Sequence, residues 1–220
     1  KETPEDILIR ITVHNRGPEA ARLIVLPTLW FRNTWSWGEE QPKPSLSQVG
    51  PGAIRATHHE LGDYWLFCRE TPELLFTEND SNAYRLWGQP NATPYVKDAF
   101  HEYLISRHSG AVNPAKVGTK AAARYILDVP VGGSKTVQLR LAGAEIKDPF
   151  ARFEQTFNSR IADADAFYER ITPNSLNEDE RRVHRQGLAG MLWSKQYYYF
   201  DLEQWLLEHK THPLMESARD

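Results

Sequence analysis

Three groups of carboxylates stand close together in the chain: Glu39-Glu40, Glu78 with Asp80, and Asp201 with Glu203. Two carboxyl groups can supply the acid and the base of a hydrolysis, as they do on either side of a glycosidic bond. Acidic neighbours are more often solvated charge, and nothing in these spacings fixes the separation such chemistry needs. His58-His59-Glu60 has metal-ligating residue types, but adjacent strand residues point to opposite faces, so the two imidazoles are not expected to share an ion. His209 and His212, beside Pro213, read as surface residues. Cys68 is the single cysteine; it follows Trp65-Leu66-Phe67 and has no adjacent cation to favour its thiolate, so it reads as a buried thiol. No Gly-rich phosphate loop, HExxH, GxSxG or paired CxxC motif occurs. No catalytic residue, metal or cofactor is predicted.

Aromatic residues offer a better lead. Of seven tryptophans, Trp35 and Trp37 open directly into a Pro- and Gly-rich stretch, and Trp87 falls in a second loop. A flat aromatic face in a loop suits the apolar C–H face of a sugar ring, whose hydroxyls then bond to polar neighbours. Trp35, Trp37 and Trp87 are therefore the candidate carbohydrate-binding residues. The alternative is that they plug their loops onto the core.

These side chains depend on a scaffold of short strands. Ile7, Ile9, Ile11 and Val13 alternate with Leu8, Arg10, Thr12 and His14, the period of a half-buried strand. After Asn15-Arg16-Gly17-Pro18, residues Arg22 to Phe31 return, which predicts a hairpin. Asn33 to Gly52, with Pro42, Pro44 and Pro51, reads as a long loop. Tyr64 to Arg69 and Leu74 to Thr77 read as strands around Thr71-Pro72, Asn79 to Asp98 as a loop, and His101 to Ile105 as a strand. Tyr125, Leu127 and Val129 alternate before Pro130-Val131-Gly132-Gly133-Ser134, and Val137, Leu139 and Leu141 alternate after it. The pattern predicts an antiparallel β-sandwich over residues 1–147.

The period changes at Asp148, which can cap a helix that Pro149 would begin. Phe150, Phe153, Phe157, Ile161, Ala164, Tyr168 and Ile171 recur at spacings of three and four, one apolar stripe on one helix. Thr172-Pro173-Asn174 ends it. Two overlapping capping boxes, Ser175 with Glu178 and Asn177 with Glu180, announce a second helix running to about Leu207, with a break near Gly187 or Gly190. From Leu188 onward its apolar residues occupy every side. Such a helix either docks on its own sheet or is buried by further helices. The fold class is mainly β with C-terminal α: a sandwich followed by two long helices over residues 148–220.

Composition agrees with a globular chain and narrows the partners. The 220 residues are 40% hydrophobic and 25% charged, with 26 Lys and Arg against 29 Asp and Glu. A chain this long buries roughly 70% of its unfolded surface without a disulfide or metal. The balanced charge gives no footprint for nucleic acid, and the longest apolar run is far short of a membrane span. One cysteine fits a reducing compartment, so a cytoplasmic location is expected. Lys1 opens the chain without a Met or a signal-peptide pattern, and the last residues follow closely on an apolar helix, so an internal piece of a longer protein is expected.

The chain contains Trp35-Ser36-Trp37-Gly38, Asn113-Pro114, Gly118-Thr119-Lys120-Ala121-Ala122-Ala123-Arg124-Tyr125 and Val129-Pro130-Val131-Gly132-Gly133-Ser134. It also contains Ile161-Ala162-Asp163-Ala164-Asp165-Ala166-Phe167-Tyr168, Asp179-Glu180-Arg181-Arg182 and Gly190-Met191-Leu192-Trp193-Ser194-Lys195-Gln196-Tyr197-Tyr198. These stretches resemble the bacterial glucosidases of glycoside hydrolase family 63. The resemblance implies an N-terminal sandwich, a helical linker and an (α/α)6 barrel that carries an inverting acid and base. This chain would be the latter part of the sandwich, the linker and the first barrel helix. Its partners would be the missing helical barrel and, through the parent enzyme, a glucose-containing oligosaccharide. The barrel's Trp- and Pro-rich acid motif does not occur here, so no catalytic residue carries over. The competing readings are an independent carbohydrate-binding sandwich and a protein-interaction domain docking through its C-terminal helix.

Overall fold

The computed structural model describes residues 1–36, 42–194 and 200–214. The chain divides into two compact units, residues 1–161 and 162–220. Antiparallel sheets form the first, and helices follow, as the alternating and then helical periodicities predict.

One sheet has six strands in the order β1 (Asp6–His14), β10 (Ser134–Ala142), β6 (Gly62–Cys68), β5 (Ala53–His58), β4 (Ser45–Gly50) and β8 (Val117–Gly118). In the other, β9 (Lys120–Val129) is the central strand. β2 (Ala21–Val25) and β3 (Thr28–Trp30) pair with successive parts of β9, and β7 (Glu73–Thr77) pairs with it as well. Between the sheets lies a core of Leu46, Ile54, Leu66, Leu74, Phe76, Tyr125, Leu127, Val129, Val137 and Leu139, all buried. Both alternating runs around Pro130 thus face inward as predicted. β9 is covered on its other face too: Ala122 joins Leu75, Phe100 and Val112 in a second buried cluster. Three successive alanines, Ala121 to Ala123, are fully buried because neither face of the strand has room for more.

Several local expectations are corrected. The first two strands do not form a hairpin: β1 pairs with β10 and β2 with β9, so the connection after His14 crosses from one sheet to the other. The loop predicted from Asn33 to Gly52 contains β4, bracketed by Pro44 and Pro51, where a missing N–H does no harm to the ladder. Residues Ala99–Leu104 form a helix, α2, where a strand was predicted from His101. Phe100 and Tyr103, three apart, lie together on the cluster around Leu75 and Ala122. A short helix, α1 (Ala83–Trp87), interrupts the second loop, so Trp87 ends a helix. Its cap is Asn82, whose side chain accepts from the Arg85 N–H, and Gly88 closes it in the left-handed region.

Helix α3 spans Phe153–Ile171 and does not begin at Pro149. The Pro149 carbonyl, which in such a helix would accept from the Phe153 N–H, accepts from Arg140 Nη1 at 2.9 Å, and the Phe153 N–H turns back to Phe150. The first turns of α3 lie on the outer face of β1 and β10. Arg10 donates to Glu154 at 2.6 Å with its guanidinium 4.0 Å above the Phe157 ring, and Gln138 donates to Glu154 at 2.5 Å. Leu8, on this covered face, is buried, whereas Ile7 on the opposite face is exposed.

In the second unit, the end of α3 and α4 (Glu178–Trp193) are joined through Thr172-Pro173-Asn174. Arg185 pairs with Asp165 at 2.6 Å and lies 4.8 Å from the Tyr168 ring centroid. Of the two capping boxes, Asn177 with Glu180 forms, while Glu178 pairs with Arg182 one turn on. α4 runs through Gly187 and Gly190 without breaking and ends at Ser194, and α5 (Leu202–Glu208) begins anew with Asp201 as its cap. The expected single helix to Leu207 is therefore two. Neither buries a residue, and Met191 and Trp193 are among the most exposed side chains.

Candidate functional site

The ends of β3 and β7 and the start of β9 lie side by side, because Trp30 and Thr77 both register with Lys120. Gly118 makes the close approach there: a Cβ on it would sit 2.2 Å from the Thr77 carbonyl oxygen, so any side chain would push the strands apart. Polar residues just beyond these strand ends converge. Thr119, almost fully buried, donates to Glu78 Oε2 at 2.7 Å and accepts from the Asn79 N–H at 2.8 Å. Lys43 lies 3.0 Å from the same Glu78 oxygen. Asn79 donates to the Phe31 carbonyl at 2.8 Å, and Asn33 donates to Asp80 Oδ1 at 2.5 Å.

Of the three carboxylate groupings, this is the one the fold builds on. Burial pushes the Asp80 carboxyl above the ordinary carboxylate range; Lys43 and Lys97 pull it down, and Glu78 pushes it further up. Its oxygen and that of Glu78 are nevertheless committed to neighbouring side chains. The cluster ties the segment after Phe31 to the strand ends and presents no paired acid and base. Asp201 serves as a helix cap, and Glu203 pairs with His212 at 2.9 Å. Glu39-Glu40 lies outside the described residues.

The tryptophan candidates separate. Trp35 is half-buried in a turn immediately after Asn33. Trp87 is 64% exposed at the end of α1, and Tyr84 on the same helix is exposed as well. Trp37 lies outside the described residues. Polar side chains hold the loop that carries α1: Asn91 donates to Asn82 at 3.0 Å, and Arg85 and Asn82 both reach Asp98. Asn33, Lys43 and Thr119 were not singled out in the sequence. Their only signal is position, each standing one to three residues outside a strand.

The histidines and the cysteine behave as follows. β5 ends at His58, so alternation stops there, and the His58 and His59 rings stack with centroids 4.5 Å apart instead of pointing to opposite faces. His58 Nδ1 accepts from the Glu60 and Leu61 N–H groups, which makes it a turn-former. His212 is buried, contrary to the surface position expected of it. Burial pushes the Cys68 thiol up to about 12, beside the Tyr125 hydroxyl, which donates to the Arg69 carbonyl at 2.8 Å. Among the described residues, no group of three or more potential ligands is arranged to hold a metal, and no helix is long and apolar enough to cross a membrane.

No protein-family model matches the chain. The chain is similar to YMR196W, an uncharacterized protein of Saccharomyces cerevisiae, with 32% identity over 242 residues. The match takes in 93% of this chain and 22% of the yeast protein, so the chain spans about a fifth of that relative's length.

Proposed function

We propose that the chain is a non-catalytic sandwich and linker portion of a larger glycoside hydrolase resembling the α-glucosidases of family 63. Its loop cluster would brace a segment at the mouth of the sugar pocket. The observation that carries the reading is the committed state of Glu78 and Asp80. Asp80 accepts from Asn33, two residues before Trp35, while Glu78 accepts from Thr119 and pairs with Lys43, so the cluster positions an aromatic and leaves acid–base chemistry to residues elsewhere. The matching segments quoted above supply the enzyme class. The uncovered apolar side chains Met191, Trp193 and Leu202 suit a helical barrel as the neighbour of the second unit.

Hydrolysis of aryl α-glucosides by the complete gene product and by residues 1–220 tests this. The complete product is expected to turn over and the shorter chain is not, since a positioned proton donor alone contributes about 100- to 10,000-fold. No turnover by the complete product, or turnover by the short chain that disappears when one of its carboxylates is changed, would refute the reading.

A second reading is favoured by Trp87 and Tyr84, which stand exposed on a helix that buries nothing. An independent carbohydrate-binding sandwich would use them as a platform. Calorimetric titration of residues 1–220 with maltooligosaccharides separates the two, because only this second reading expects binding without the barrel.

A further inference from the structure

Glu78, Asn79 and Asp80 hold two loops at once. Their side chains bind the segment that carries Trp35. Asn79 donates to the Phe31 carbonyl at 2.8 Å, Asp80 accepts from Asn33 at 2.5 Å, and Glu78 lies 3.0 Å from Lys43. Their backbone closes a second loop over residues 79–98. The Glu78 N–H bonds the Tyr95 carbonyl at 2.8 Å, and the Lys97 N–H bonds the Asp80 carbonyl at 3.0 Å. On the returning limb Val96, Ala99 and Phe100 are buried, so the base of this loop is fixed.

Between these limbs the loop does the reverse. α1 is five residues long, too short to stand unaided, and its Tyr84, Leu86 and Trp87 are 71%, 58% and 64% exposed. Polar bonds hold it in shape. Asn82 accepts from Asn91 at 3.0 Å, the Tyr84 N–H donates to Asn91 Oδ1 at 3.1 Å, and Arg85 and Asn82 both donate to Asp98. The Gly88 N–H returns to the Tyr84 carbonyl at 3.0 Å. Tyr84 and Trp87, three apart, share one side of the helix. Two flat rings are thus presented on a fixed backbone, which lowers the ordering cost of binding. Arg85 and Gln89 flank them in the chain. Rings among hydrogen-bonding groups suit a sugar, which has an apolar C–H face and polar edges.

We infer that the 79–98 loop is a specificity arm for the leaving-group side of an oligosaccharide, with Trp87 and Tyr84 as the residues that touch it. The inference rests on the glucosidase reading proposed above. An enzyme that removes a terminal glucose leaves the remaining units projecting from its pocket. The arm shares its base with the Trp35 segment assigned to the mouth of that pocket, so it stands where those units emerge. Unlike an independent binding module, it works only where the barrel holds the first glucose.

Steady-state kinetics of the complete gene product test this on 4-nitrophenyl α-glucoside and on α-linked gluco-oligosaccharides of two to five units, each linkage in turn. With the unchanged product, kcat/KM is expected to rise with chain length. Trp87→Ala should remove about tenfold on the longest substrate, mainly through KM, and less than about twofold on the aryl glucoside. Tyr84→Ala should act in the same direction, and Trp87→Phe should retain most of the preference. No rise with chain length, or an equal loss on long and short substrates, overturns the inference. So does a lowered melting temperature of the Trp87→Ala product, because the ring would then be packed against the barrel. If the unchanged product turns over no glucoside at all, the proposed function falls and this inference falls with it, whereas the other failures leave that function standing.

Discussion

Arg140 and Asp6 share two hydrogen bonds, Nε to Oδ1 at 3.0 Å and Nη2 to Oδ2 at 2.5 Å, and both side chains are 8% exposed. The guanidinium also reaches Glu2 at 2.7 Å and the Pro149 carbonyl at 2.9 Å. One buried side chain thereby joins the start of β1, the end of β10 and the approach to α3. Arg140→Ala would leave Asp6 charged, buried and unpaired, at a cost of about 3–5 kcal/mol. The melting temperature is expected to fall by roughly 10 °C. The double variant Arg140→Met with Asp6→Leu should recover most of the loss, since apolar pairs of similar volume replace buried ion pairs at little cost. Thermal melts of the single and double variants check this.

Two glycine substitutions should have opposite signs. Gly118→Ala places a methyl group against the Thr77 carbonyl, a backbone atom that cannot swing away, and is expected to destabilise by at least about 1–3 kcal/mol. Gly190→Ala lies within α4 with nothing near the new methyl, and should stabilise that helix by about 1 kcal/mol. Denaturant midpoints, followed by circular dichroism, measure both.

Asp80 predicts a pH dependence. Its folded pKa lies above the unfolded value because burial disfavours the charge. The folded state therefore holds the proton more tightly, and this group's contribution declines as pH rises from the ordinary carboxylate range through the raised value. Asp80→Asn should consequently melt higher than the parent at pH 7, and the difference should vanish near pH 3. A lower melting point at pH 7 would mean that attraction to Lys43 and Lys97 outweighs burial.

The two described tryptophan candidates should respond differently to truncation. Trp87→Ala removes an exposed ring and opens no cavity, so its melting temperature is expected to match the parent's. Trp35→Ala removes a half-buried ring and should lower it. If the complete gene product turns over α-glucosides as proposed, weakened turnover by the Trp87 variant with the fold intact would place Trp87 against sugar. Unchanged kinetics would leave it as a surface residue.

The strands that alternate or form compact apolar runs were legible in the sequence: β1, β6, β7, β9 and β10 each read directly from side-chain period. Their partners did not. A hairpin between the first two strands was the local guess, yet each took a partner more than a hundred residues away, because pairing is decided by which faces cover a common core. β4 and β5 were hidden for a different reason. Ser45–Gly50 lacks a strong apolar alternation and sits among prolines, and Ala53–His58 buries only the small Ala56 and Ile54. The start of α3 was misplaced where the Phe153 N–H turns back to Phe150 and the Pro149 carbonyl meets Arg140 across the fold, contacts no local pattern encodes. Likewise, the loop cluster joins Asn33, Glu78 and Thr119, which are remote in sequence, and only the register of β3 and β7 against β9 brings them together.

The pairing of β1 with β10 also sets a schedule for synthesis. Asp6 and Arg140 are 134 residues apart, and elongation proceeds at about 5–20 residues per second. For on the order of ten seconds, then, a nascent chain presents β1 before β10, its partner among the described residues, is made. During that interval its isoleucines are available to whatever else is nearby, including the β1 segment on an adjacent ribosome. Chaperone occupancy during that interval, and aggregation when many ribosomes share one message, are the cellular price of a strand whose partner is made 134 residues later.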